Sequence, residues 1–121
     1  MKRDAIKKKF LELDDVVRGK KIWNTPLFYD FLQGKRDYDC TPWGNATYNV
    51  CGWKAPCYLV TDGHVSSFAD FISDTEWEKY GPKKDSRCTN CMAHCGFEAT
   101  AALLTTKSMK DMLRMAYWTV F

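Results

Sequence analysis

No stretch of this chain approaches the roughly 18 consecutive apolar residues that a membrane-spanning helix needs, because Lys, Asp or Glu interrupts every candidate run. The basic opening Lys2-Arg3-Asp4-Ala5-Ile6-Lys7-Lys8-Lys9 leads into no apolar segment of signal-peptide length. No export signal is therefore read, and the expected compartment is the cytoplasm. A Gly-rich phosphate loop, a G-x-S-x-G elbow and paired carboxylates at a readable spacing are all missing, which removes the commonest nucleotide-binding and hydrolase readings. There is no internal repeat and no low-complexity tract.

An excess of one charge is also lacking over most of the chain. The net charge of +3 is local: residues 1–21 hold eight Lys and Arg against four Asp and Glu, and residues 22–121 hold ten against eleven. A Lys-rich first helix can touch phosphates or an anionic lipid surface, but a solvated helix face is the commoner cause of such a run. Nucleic-acid binding is not expected.

What remains is a 121-residue chain, 45% hydrophobic and 27% charged, the proportions of one folded domain with one modest core. Six cysteines are many for a chain with no secretion signal. In a reducing compartment thiols stay unpaired unless a metal uses them, so this density points to metal rather than to a disulfide framework.

Ala5, Ile6, Phe10, Leu13 and Val17 recur at helical spacing and predict an amphipathic helix from Arg3 to about Val17, stopped near Gly19. Thr25 as N-cap, Pro26 at the first helical position and Gly34 past the end mark a second helix, whose Leu27, Phe28, Phe31 and Leu32 form a core-facing stripe. Thr47–Val50 and Tyr58–Val60 read as strands, with Gly52–Pro56 as the connection between them and Asp62-Gly63 as a second turn. Ser67 opens a short helix, Asp74 is expected to cap another through Glu76, Trp77 and Tyr80 to Gly81, and Lys83-Lys84-Asp85 is a polar loop. Helix is expected from about Cys91 onward, with Ser108 to Asp111 as a further cap. Trp43, Trp53, Trp77 and Trp118, with Tyr48, Tyr58 and Phe97, are expected in the core, Trp43 and Trp53 also standing where they would shield a metal site.

The thiols fall in two clusters: Cys40, Cys51 and Cys57, then Cys88, Cys91 and Cys95. C-x2-C from Cys88 to Cys91 is a turn that aims two sulfurs at one point, and Cys91 and Cys95, four apart, share a face on a helical turn. Cys40 and Cys57 flank the expected hairpin, so a bent ribbon brings both to the same place. Four or five sulfurs suffice for a [4Fe–4S] cluster, and four serve Zn²⁺ equally well. Spacing alone does not separate the two. Cys51, in Val50-Cys51-Gly52, is read as a small buried hydrophobe outside the ligand set. His94 is read as a neighbour to the sulfurs or as exposed, and His64 has no partner that the sequence names.

The runs Tyr38-Asp39-Cys40-Thr41-Pro42-Trp43-Gly44-Asn45, Asn49-Val50-Cys51-Gly52-Trp53-Lys54-Ala55-Pro56-Cys57-Tyr58-Leu59 and Cys88-Thr89-Asn90-Cys91-Met92-Ala93-His94-Cys95-Gly96-Phe97-Glu98-Ala99 together resemble the C-terminal region of the radical S-adenosylmethionine proteins of hopanoid biosynthesis, the adenosylhopane synthases. The match runs from about Trp23 to Thr105. C-x11-G-x4-C from Cys40 through Gly52 to Cys57, followed by C-x2-C, is also similar to the auxiliary-cluster (SPASM or twitch) extensions of radical enzymes. The resemblance implies that intact family members use cluster-bound S-adenosylmethionine to make a 5′-deoxyadenosyl radical, which adds to the alkene of a hopene and gives adenosylhopane. That activity belongs to a barrel with C-x3-C-x2-C. Here the order is the reverse, C-x2-C-x3-C, with Glu98 three residues beyond Cys95.

The resemblance therefore implies a detached C-terminal piece that is not catalytic alone. S-adenosylmethionine and a polycyclic lipid substrate are met only in the complete enzyme, with the barrel supplied in cis or in trans. The implied cofactor is a [4Fe–4S] cluster, with Zn²⁺ as the alternative, held by Cys40, Cys57, Cys88 and Cys91 or Cys95. The expected fold is α+β: a small Cys-rich auxiliary domain with a β-hairpin and several short helices, and no complete barrel. Its parts are a basic helix over 1–22, the Cys-rich domain over 23–105 and an apolar helical tail over 106–121. The tail matches nothing in the family, which leaves two readings of it: it packs, or it makes a peripheral membrane contact.

Overall fold

A computed structural model of the chain describes residues 2–121, so the first residue of the basic 1–22 segment lies outside the described residues. Its architecture is α+β, with six α-helices around a small antiparallel sheet and no barrel among the described residues. None of these helices is long and apolar enough to cross a membrane.

The expected first helix is two: α1 (Arg3–Glu12) and α2 (Asp14–Val17), divided at Leu13. Helix α3 (Pro26–Leu32) forms as the punctuation predicts. The Thr25 side chain accepts the Phe28 N–H at 3.3 Å, and Gly34 turns the chain out at φ +75°. Its stripe of Leu27, Phe28, Phe31 and Leu32 is buried and packs with Tyr38, Met92, Phe97 and Ala101. The Phe31 and Phe97 rings stack at 4.5 Å, and the Arg3 guanidinium of α1 covers them at 5.3 and 5.5 Å from the ring centroids.

The sheet differs from the sequence reading. Its strands are β1 (Tyr48–Asn49), β2 (Gly52–Pro56) and β3 (Thr61–Val65), in the order β1-β2-β3. The segment read as a connection is thus the central strand, Tyr58–Val60 is the turn after it, and Asp62-Gly63 lies inside β3, paired across Ala55↔Gly63. Gly and Pro in β2 mislead because each has a positional reason there. A Cβ on Gly52 would lie 2.5 Å from the Val65 carbonyl oxygen, and Pro56 stands at the strand's end where the register shifts. His64 on β3 has a partner after all, the Asn49 side chain at 3.1 Å.

Helix α4 (Phe68–Asp74) is capped by Ser67, which accepts the Asp70 N–H at 3.1 Å. Asp74 caps nothing, because it ends α4 and accepts the Ser73 hydroxyl; only a 3-10 turn follows, at Trp77–Lys79. Phe71, fully buried, centres a second aromatic cluster with Trp53, Phe68 and Trp77 that holds α4 on the sheet. Trp43 and Tyr48, expected in the core, are 45% and 60% exposed.

Helix α5 (His94–Thr105) starts three residues later than the sequence suggests, and Cys91 is therefore not helical. Helix α6 (Met109–Val120) is capped by Ser108, which accepts the Asp111 N–H at 3.3 Å. It is tied to α3 by charge: Arg36 donates to both Asp111 oxygens at 2.8 and 2.6 Å, and Arg114 pairs with Asp30.

Candidate metal centre

Three segments remote in sequence bring five thiols to one pocket. Cys40, Cys57, Cys88, Cys91 and Cys95 line it together with Pro42, Pro56, Leu59, Val60, Tyr80, Pro82 and Phe97. No carboxylate, imidazole or cationic side chain is among the lining residues. The wall is apolar and its reactive groups are the thiols, the Tyr80 hydroxyl being engaged by Asp62 at 3.0 Å.

Cys40 reaches the site because residues 39–41 are lashed to α5. The Thr41 N–H donates to the Gly96 carbonyl at 3.2 Å, and the Thr100 hydroxyl donates to the Asp39 carbonyl at 2.7 Å while meeting the Thr41 hydroxyl at 2.7 Å. The Cys40 sulfur then sits directly against Gly96, where any side chain would collide with it. Cys57 follows Pro56 at the end of β2, in the turn to β3, and its sulfur accepts the Val60 N–H at 3.4 Å. The Thr61 hydroxyl closes that turn onto the Cys57 carbonyl at 3.1 Å.

Cys88 ends a 3-10 turn, Ser86–Cys88, whose cap is Asp85. Arg87 within this turn grips both Asp85 and Asp62 of β3, fastening the Cys88 segment to the sheet edge near Cys57. The Cys91 N–H donates to the Cys88 carbonyl at 2.9 Å, which closes the C-x2-C turn. Cys95 lies in the first turn of α5 and is buried.

Burial and crowding raise the thiols' affinity for protons. Cys40 is pushed up to about 12, first by loss of water and then by the proximity of Cys91, Cys95, Cys57 and Cys88. Cys95 is pushed up to about 11 by burial and by Cys57 and Cys91, against the pull of the Gly96 and Cys95 backbone N–H groups. Burial also raises Cys88 and Tyr58. A set of sulfurs that repel one another as thiolates is a donor set that a multivalent cation relieves.

Among the described residues no three His, Cys, Asp or Glu side chains are drawn to one point in the manner of a mononuclear site. A tetrahedral Zn²⁺ with Zn–S near 2.3 Å holds its sulfurs roughly 3.8 Å apart. A four-iron cluster takes one thiolate per iron and spreads them around a larger body. The five thiols on the rim of the apolar pocket are soft donors that either group accepts.

The other sequence candidates fall outside this pocket. Cys51 is exposed rather than buried, beside a Val50 that is fully exposed, because both sit at the tip of the β1–β2 turn. His94 is exposed at the start of α5. Trp43 and Trp53 do not line the pocket; Trp53 belongs to the Phe71 cluster instead. Gly96, Thr100 and Arg87 position the thiols and were not singled out from sequence. The signal for Gly96 was available, since a glycine inside a helix costs about 1 kcal/mol against Ala and so calls for a reason.

No curated protein and no solved structure matches the chain. A family model does, over residues 1–115, spanning all five pocket cysteines and every segment that positions them. Its description is a domain of unknown function, DUF3463, and the chain belongs to that family.

Proposed function

We propose that this chain is the iron–sulfur-binding C-terminal portion of a radical S-adenosylmethionine enzyme of the hopanoid type, acting where adenosyl transfer to a hopene is completed by a barrel in cis or in trans. The observation that carries the reading is the convergence of Cys40, Cys57, Cys88, Cys91 and Cys95 on one apolar pocket, joined to the three motif runs that resemble that family. Four of the five would hold a [4Fe–4S] cluster. Such a cluster supplies one-electron redox chemistry, or an open coordination position when one iron lacks a protein ligand. The chain's own residues shield it: Pro42, Pro56, Pro82 and Phe97 exclude water, and the Val60 N–H donates to a sulfur. A reducing compartment, the cytoplasm, would keep these thiols available.

The test is anaerobic purification followed by iron, sulfide and zinc quantification and a visible spectrum. About four irons and four sulfides per chain with a broad absorption shoulder are expected. One zinc in a colourless sample would replace this reading with a zinc-stabilised binding module that has no redox role.

A further inference from the structure

Helix α6 turns Asp111 and Met115 inward. Its opposite side carries Met109, Leu113 and Tyr117 at four-residue spacing, continued by Phe121 just past the helix end, exposed to 69, 65, 69 and 80%. Such a stripe ordinarily faces a core, but this one faces out. Beside it, the segment between α2 and α3 holds out Trp23, 94% exposed, with Lys20 and Lys21 shortly before it. A groove lined by Lys20, Lys21, Tyr117, Trp118 and Phe121 joins the two features, and a neighbouring one runs from Trp118 to Trp23. Lys21 is held there, its ammonium 5.7 Å from the Trp118 ring centroid and donating to the Thr119 carbonyl at 3.2 Å.

The charges around this surface are mainly positive; the Glu98 carboxylate beside it is taken up by the Thr25 N–H at 2.9 Å and the Asn24 amide at 3.4 Å. The only carboxylate on α6, Asp111, is buried against Arg36, and Arg114 is paired with Asp30. Asp14 and Asp15, behind the groove, are engaged by Arg18, with Lys35 also on Asp14. Among the described residues Lys20, Lys21 and Lys110 are exposed and have no ion-pair partner. A second copy of the chain would set this positive rim against itself, so the occupant that complements it is anionic.

We propose that the α6 stripe and the Lys20–Trp23 segment form a docking surface for an anionic lipid bilayer. Tyr117 and Trp23 would lie at headgroup depth, where amphipathic rings prefer to sit, with Phe121 on the acyl side, and the helix would lie in the plane of the interface with its apolar side down. Lys20, Lys21 and Lys110 would meet the lipid phosphates, each contributing about fivefold in affinity. This inference does not depend on the metal centre.

The full chain is mixed with vesicles of phosphatidylcholine, alone or with phosphatidylglycerol, and bound protein is read by sedimentation and by the blue shift of Trp fluorescence. The mixed vesicles should bind it, pure phosphatidylcholine much more weakly, and added salt should weaken the binding. Lys20→Glu with Lys21→Glu should reduce binding to mixed vesicles about tenfold or more, and Trp23→Ser with Phe121→Ser comparably. All four side chains are exposed, so circular dichroism should stay unchanged. No binding to mixed vesicles, or equal binding by all variants, would overturn the proposal. So would self-association in light scattering that Phe121→Ser abolishes, because the stripe would then be covered by a second copy.

Discussion

The space that a side chain at residue 96 would occupy is filled by the sulfur of Cys40: a Cβ on Gly96 would lie 2.3 Å from Cys40 Sγ. This contact joins the first cysteine cluster to the helix that carries the last cysteine, so the pocket exists only where the chain has no side chain at that point. Gly96→Ala should displace Cys40 or tilt the start of α5. A destabilisation of about 1–3 kcal/mol in urea unfolding is expected. Bound iron and sulfide should fall by half or more while far-ultraviolet circular dichroism keeps its helical signal. Undiminished metal content would mean that Cys40 is not a ligand.

Arg87 separates positioning from stability. Its pair with Asp62 is exposed, and Asp85, 14% exposed, keeps the backbone N–H of residue 87, so Arg87→Ala should lower the unfolding midpoint only slightly at moderate salt. The turn carrying Cys88 would nevertheless lose its anchor to β3. We expect faster release of metal to a chelator, with Arg87→Lys intermediate because one ammonium cannot grip two carboxylates as the guanidinium does. Equal release rates in all three proteins would assign Cys88 a position set by the backbone turn alone.

The helical part of the fold was legible because its signals are local. Thr25, Ser67 and Ser108 each cap the helix they announce, and the Leu27–Leu32 stripe is buried as its spacing says. The sheet was not legible, because Gly52 and Pro56 are strand breakers in a local reading and are excused only by the neighbouring strand, through Val65 against Gly52 and the register shift at Pro56. The site behaved the same way. Five thiols could be named from sequence, but the residues that bring Cys40 to α5 work through contacts of Thr41 and Thr100 across 59 positions. Cys51 illustrates the converse: its apolar context suggests burial, yet a turn tip exposes it together with Val50.

The pairing of α3 with α6 sets a pH dependence. Arg36 holds the Asp111 carboxyl below the usual carboxylate range. A depressed folded-state pKa contributes stability that is present above the unfolded value, near 3.9, and is lost as pH falls through the folded one. Thermal melts should therefore show a midpoint that drops as pH is lowered below about 4. Asp111→Asn should be less stable at pH 7 by about 2 kcal/mol and should lose part of that acid sensitivity. If the mutant's midpoint falls with acid as steeply as the parent's, Asp111 is not among the groups responsible.

Exposure divides the six thiols into one and five. Cys51 stands at the β1–β2 turn in contact with water, whereas Cys40 is half-buried, Cys95 is buried, and the two hold their protons to about 12 and about 11. Alkylation proceeds through the thiolate, so in metal-free protein at pH 8 iodoacetamide should modify Cys51 first, with Cys40 and Cys95 at least tenfold slower. Raising the pH should speed both of these sites, since each unit below their pKa costs a factor of ten in thiolate. Cys51→Ser should abolish the fast phase in a mass-spectrometric time course and leave metal content unchanged, and a loss of metal in that variant would bring Cys51 into the ligand set. Metal loading should slow labelling of the pocket cysteines selectively, and the cysteine whose rate does not change is the one of the five that the metal leaves free.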